Sequence, residues 1–441
     1  MNRTQEFDAM MEELNRPVPG LEATVDRAFR KRQRVTAGWV LRPAATLAAC
    51  LAIFVLLVNF SAPVAYACSQ IPVLRDLAAA VTFSPSLSDA VENEYVQSLN
   101  LAKTEKEITA EIAYLIVDQK QVNIFYRLDS DEHDQLLATP VVRDPQTRQR
   151  LSVIVSQTGM TAEKEDLHCL TVDFVEDSVP DSMIVELLVY TPDMIPDSDG
   201  YLVALDFLLE FDPNFTASGK IIPVNRQVLL EGQTITVTDI EIYPTHLRVN
   251  IEEDANNTVL LKDLDFYIET DWGMRFEAVA DGITATGSTD SPGMISYRAD
   301  STYFHQADRL NLVITGATWL RKDMETTYVN LKTGETGPLP EGVSFHEARR
   351  EGNGWTVSFR ADMQKENTMH QLFRSPYYDA QGNMKEFNQW ATILGERDQN
   401  SQITYFLEQL YLTDYPYEEV WLSPQYSHRW VSEDLIVIHV Q

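Results

Sequence analysis

From Ala44 to Phe60 the chain reads A-A-T-L-A-A-C-L-A-I-F-V-L-L-V-N-F, and no charged residue follows until Arg75. A helix crossing the hydrocarbon core of a bilayer needs about 17–25 residues of this kind. The run therefore predicts one transmembrane helix over 44–60. Arg27, Arg30, Lys31, Arg32, Arg34 and Arg42 stand before it. Basic residues collect on the cytoplasmic flank, so they set the orientation, with the N-terminus inside and everything after the helix outside. The expected location is the cell membrane, single-pass, with an extracytoplasmic C-terminus. Small-residue patterns at Ala65-Tyr66-Ala67 and Leu47-Ala48-Ala49-Cys50 resemble processing sites. The first would need an unusually long n-region and the second lies inside the apolar run, so neither cleavage nor lipidation is expected.

Charge divides at the same place. Residues 1–43 hold eight Lys and Arg against six Asp and Glu, a surplus of two, which leaves −33 on the remainder of a chain whose total is −31. Nucleic-acid binding depends on cations that neutralise phosphates, so an acidic outer part argues against it. At 441 residues with 44% hydrophobic side chains, the chain has length for several domains and material for their cores.

Within the N-terminal region, Phe7, Met10, Met11 and Leu14 recur at helical spacing, and Leu21, Val25 and Phe29 repeat the pattern after Pro17-Val18-Pro19-Gly20. Two short amphipathic helices of this size have no core of their own. Their stripes predict a partner protein or the membrane surface.

Residues 61–99 read as a helical connector, with an apolar segment from Ile71 to Phe83 and a helical pattern from Val91 to Leu99. After it the period changes to two, rich in Val, Ile, Thr, Tyr and Phe, which predicts strands. A strand-turn-strand unit occurs three times, at Ile108 to Tyr126, Ile235 to Ile251 and Val343 to Phe359. A further apolar strand follows each, at Leu202 to Phe211, Leu310 to Ala317 and Leu435 to Val440. The fold class expected is mainly β, with tandem Ig-like β-sandwich modules over 100–225, 226–338 and 339–441. If the register is right, Val237, Val249 and Ile251 are buried together, as are Trp355, Val357 and Phe359.

Chemistry is sparse. H-E-x-x-H, G-x-S-x-G, G-x-x-x-x-G-K-[ST] and G-x-G-x-x-G are all missing, so no catalytic residue, metal site or cofactor is assigned and an enzyme is not expected. The eight histidines form no i, i+4 pair. Acidic runs at Asp129–Asp134 and Asp193–Asp199 lack the spacing of a calcium loop and read as solvated turns. Three cysteines occur, and Cys68 and Cys169 are either free thiols or one bridge.

The membrane exit, Asn59-Phe60-Ser61-Ala62-Pro63-Val64-Ala65-Tyr66-Ala67, followed by Ile71-Pro72-Val73-Leu74, resembles that of membrane-anchored, anti-sigma-factor-like proteins of Gram-positive bacteria. Tyr95-Val96-Gln97 and the first strand pair fit the same extracytoplasmic domain. The stretch from Gly232 to Ile251 is similar to the Ig-like domain that often follows it. The resemblance implies a regulator whose outer region senses or binds while its cytoplasmic helices hold an extracytoplasmic-function sigma factor. An anchored protein that binds a cell-envelope component without signalling is the alternative.

Overall fold

A computed structural model of the chain describes residues 72–441, apart from 159–165, 176, 195–199, 280–282, 288–292, 306, 363–370, 388, 396–402 and 441. The apolar run 44–60 and the N-terminal residues named above lie outside the described residues. Among the described residues no helix is long and apolar enough to cross a membrane.

The fold of 76–441 is mainly β, built from several antiparallel sheets. It opens with α1 (Pro72–Ala80) and α2 (Pro85–Glu92). Ser84 caps α2, its side chain accepting from the Leu87 N–H, and Pro85 occupies the first turn, where its missing N–H costs nothing. These signals start the helix earlier than the pattern over Val91 to Leu99 suggested. Glu94 takes a left-handed φ of 57° and the chain turns to strand at Gln97, so that expectation is corrected.

The first group of strands is β1 (Gln97–Glu105), β2 (Ile108–Asp118), β3 (Gln121–Ser130), β4 (Leu137–Arg143), β5 (Ile154–Thr158), β6 (His168–Asp173), β7 (Ser182–Tyr190), β8 (Val203–Glu210) and β9 (Thr216–Ala217). One sheet runs β1-β2-β3-β6-β5, with β9 beside β2, and the other runs β4-β7-β8. Alternate residues of both, such as Ile112, Ile124 and Leu170 from the first and Val185, Leu187 and Phe207 from the second, close one core. The opposite face of the larger sheet is also apolar, through Tyr114, Ile116, Phe125 and Cys169. Leu77 and Val81 of the α1 end and Leu87 and Ala90 of α2 cover it. The α1 end and α2 therefore pack on the first group of strands. Cys169 is buried, and Cys68 lies outside the described residues.

The second group comprises β10 (Lys220–Leu230), β11 (Gln233–Ile242), β12 (Leu247–Glu253), β13 (Val259–Thr270), β14 (Arg275–Phe276), β15 (Ala285–Gly287), β16 (Met294–Ala299) and β17 (Leu310–Arg321). The third comprises β18 (Thr327–Asn330), β19 (Val343–Glu351), β20 (Gly354–Asp362), β21 (Phe373–Tyr378), β22 (Met384–Glu386), β23 (Trp390–Leu394), β24 (Tyr405–Leu412), β25 (Glu419–Pro424) and β26 (His428–His439). All three strand-turn-strand units of the sequence are antiparallel pairs: β2 with β3, β11 with β12, and β19 with β20. Val237, Val249 and Ile251 are buried in the second core, and Trp355, Val357 and Phe359 in the third.

The last strand departs from expectation. β26 does not join the third core but pairs with β17 along Asn311 to Trp319, giving a sheet β14-β13-β17-β26, and Ile438 enters the second core. Strands β18 to β25 form the two third-group sheets between β17 and β26, so the third module is inserted into the second. The alternation of Leu435 to Val440 specifies a half-buried strand but not which sheet receives it.

Both pairings of β17 shift register beside Gly316, where a Cβ would stand 2.7 Å from the Trp430 carbonyl and 2.7 Å from an Asp265 carboxylate oxygen. Asp265 is itself held by Arg429 at 3.0 Å, so neither neighbour gives way freely. Gly316→Ala should cost about 1–3 kcal/mol through overpacking. Denaturant unfolding checks it, and unchanged stability would contradict this close approach.

Candidate functional site

β12 and β16 each turn one face to the second core through Leu247, Val249, Ile251, Tyr297 and Ala299. Their other face carries His246, next to β12, with Arg248 and Arg298, residues that strand alternation would normally send to water. Here the face is closed by the ends of β2 and β6 from the first module. Asp118, Asp173, Thr245, His246, Arg248 and Arg298 are all at most 3% exposed.

A buried guanidinium is tolerated only when paired and fully hydrogen-bonded. Arg248 Nη2 donates to both oxygens of Asp173 at 3.1 Å and to the Phe174 carbonyl at 3.3 Å, while Nη1 reaches the Val175 carbonyl and Nε the His246 ring. Arg298 Nη2 donates to the same Asp173 at 3.1 Å and to Thr286 Oγ1, while Nη1 reaches Ser296. One carboxylate thus holds two cations from two strands of the neighbouring module.

The network continues through His246. Arg248 Nε, which can only donate, lies 2.8 Å from His246 Nε2, so that nitrogen accepts. In the neutral ring the proton then sits on Nδ1, which donates to Thr245 Oγ1 at 2.8 Å. Thr245 Oγ1 in turn donates to Asp118 Oδ2 at 2.5 Å. Burial, and after it the Arg248, Arg298 and Lys120 charges, hold the imidazole well below its ordinary range. Asp118 is pushed up by burial, against donors from Thr245, Lys120 and Gln121. Its Oδ1 accepts the Lys120 and Gln121 N–H groups at 2.8 Å, so the carboxylate that shapes the β2–β3 turn also grips the second module.

The helices join this junction from the side. Ser86 Oγ donates to Asp300 Oδ1 at 2.9 Å and accepts from the Ser301 N–H at 2.7 Å, and His305 Nε2 lies 2.8 Å from Asp89. Ser301 Oγ donates to the Tyr243 carbonyl, next to the Thr245–His246 step. The Tyr95 hydroxyl bridges the Val117 carbonyl and the Ala217 N–H, each at 2.7 Å.

At no more than 3% exposure, the six side chains of the cluster present almost no surface to a substrate. Among the described residues no group of three or more His, Cys, Asp and Glu is placed to hold a metal ion. Asp129, Asp131, Glu132 and Asp134 are exposed, while 195–199 lie outside the described residues. The partner-binding candidates Phe7, Met10, Met11, Leu14, Leu21, Val25 and Phe29 and the orienting basic residues are likewise outside them. Sequence reasoning did not find the junction. Its one local signal is T-H-L-R-V-N, where polar residues take every second position of an apolar strand.

The chain matches the domain of unknown function DUF4179 over residues 38–130. It also matches a family of unknown function, DUF5643, over residues 219–342. The first match spans the apolar run, both helices and the β1–β3 strands, and the second contains β10 to β18. Comparison with curated proteins gives no match. Among solved structures it is similar to a conserved domain protein from Bacillus anthracis, at 16% identity and a TM-score of 0.39, covering 55% of this chain and 84% of that one.

Proposed function

We propose that the chain is a single-pass membrane regulator, anti-sigma-factor-like, whose Ig-like outer modules sense or bind an envelope condition and whose N-terminal helices hold a cytoplasmic partner. The observation that carries this reading is the seat of α1 and α2. They follow the apolar run in sequence, pack on the first module and bond to the second through Ser86, Asp89, Asp300 and His305. A change in how those modules meet would be felt first by the segment nearest the membrane exit. The basic flank from Arg27 to Arg42 supports an inside N-terminus.

The partner is proposed to be an extracytoplasmic-function sigma factor bound by Phe7, Met10, Met11, Leu14, Leu21, Val25 and Phe29. Apolar stripes on helices too short for a core are stabilised only by burial elsewhere, and Phe and Met commonly anchor helix-in-groove contacts. Binding to the bilayer surface suits the second helix but not the first, which carries Glu12 and Glu13. Replacing Met10 and Leu14 together by Asp should release the partner and raise transcription from its promoters, with membrane insertion unchanged. If co-purifying proteins and transcription both stay the same, the protein is an anchored envelope-binding protein and the regulatory reading falls.

A further inference from the structure

We infer that the chain of groups from Asp118 through Thr245, His246 and Arg248 to Asp173 and Arg298 is an acid-released latch. It is closed while His246 is neutral and loosened when that ring takes a second proton. The inference concerns the junction itself and holds whether or not the N-terminal helices bind a sigma factor.

The geometry requires the neutral ring. His246 Nε2 has one lone pair, and Arg248 Nε occupies it at 2.8 Å. A proton there would set two donors against each other and place a third cation beside Arg248 and Arg298, with Lys120 also near. The acidic neighbours already accept hydrogen bonds from other groups. Asp118 Oδ2 lies 3.8 Å from Nδ1 and accepts from the Thr245 N–H and hydroxyl. Asp173 is held by both guanidinium groups, and Glu241 accepts from Tyr243 and Asn250. Tyr243 stacks on the ring with centroids 5.4 Å apart and contributes no counter-charge. Among the described residues Asp118 is thus the one acidic group within reach of the charged ring, against two buried guanidinium groups and the lost Arg248 bond, so separating the two modules, which lets water reach the imidazole, relieves the cation.

Burial with those cations keeps His246 far below its ordinary value of 6.5 in the closed junction. The open junction regains about that value, so each pH unit below it raises the open-to-closed ratio by up to about tenfold. Asp118 acts in the opposite sense, because burial favours its proton in the closed form. The latch is thus read from the difference between two proteins that both keep Asp118.

The test compares the full chain, purified in mild detergent, with His246→Gln, whose amide can accept from Arg248 and donate to Thr245 but cannot titrate. Backbone hydrogen exchange is followed from pH 7.5 to 5 in peptides covering 117–124, 171–175, 243–251 and 296–301, corrected for intrinsic rates. Wild type should lose protection below about pH 6.5 more steeply than the variant, by up to tenfold per pH unit. Parallel profiles overturn the latch. If the variant fails to fold, deuterium exchange at the His246 C2 carbon in wild type decides. A ring that stays neutral at pH 6 in the closed protein supports the latch, and one that titrates near its ordinary value there overturns it. Neither readout involves Met10 or Leu14, so failure here is distinct from failure of the partner reading.

Discussion

Asp173→Ala is expected to destabilise the junction of the first and second modules by about 3–5 kcal/mol, the cost of leaving a buried charge without its partner. Two guanidinium groups depend on this one carboxylate, each bonding both of its oxygens, and both are buried. Removing it leaves like charges facing each other in a medium that screens them poorly. If the loss arises from stranded cations and not from a hole, then Asp173→Ala in a background of Arg248→Met and Arg298→Met should recover most of it, because apolar replacement of a whole buried ion set is often neutral. Denaturant unfolding of the three proteins measures both effects. A loss under about 1 kcal/mol for Asp173→Ala would mean that water reaches the pair.

The local architecture was legible where the alternation was strong. Ile108 to Tyr126, Ile235 to Ile251 and Val343 to Phe359 each carry apolar residues at every second position on both sides of a turn, and each is an antiparallel pair. Alternation says which face of a strand is buried and is silent on what covers the other. That is why Leu435 to Val440 was assigned to its neighbour in sequence when it completes the sheet of β17, and why nothing in the alternation marks His246, Arg248 and Arg298 as buried. Their partner Asp173 is separated from Arg248 by 75 residues and from Arg298 by 125, and no short-range pattern spans such distances. The start of α2 was carried by Ser84 and Pro85, capping signals weaker to the eye than the apolar pattern over Val91 to Leu99.

The third module should respond to pH through Glu408, in the sense opposite to His246. Glu408 lies on β24 between Phe406 and Leu410 of the core face, opposite Phe359 in register, and is 1% exposed. Its carboxylate accepts the N–H groups of Leu372 at 2.7 Å and Phe373 at 3.2 Å, tying the sheet of β24 to the start of β21 in the facing sheet. Burial outweighs these bonds and pushes the carboxyl from 4.5 up to about 7. A carboxyl raised on folding contributes its stability fully below pH 4.5 and loses it as pH rises through about 7. At about 1.4 kcal/mol per unit, the change across that window is about 3 kcal/mol. Glu408→Gln, which keeps an acceptor for one N–H and cannot ionise, should remove that dependence and be favoured relative to wild type at pH 8. Because acid strengthens this core while it loosens the His246 junction, a single melting temperature would blend the two. The measurement therefore needs amide exchange resolved to β20 and β24 at pH 5 and pH 8, corrected for intrinsic rates. Equal pH dependence in wild type and variant would show that Glu408 is ionised in the folded core and that its two N–H donors outweigh burial.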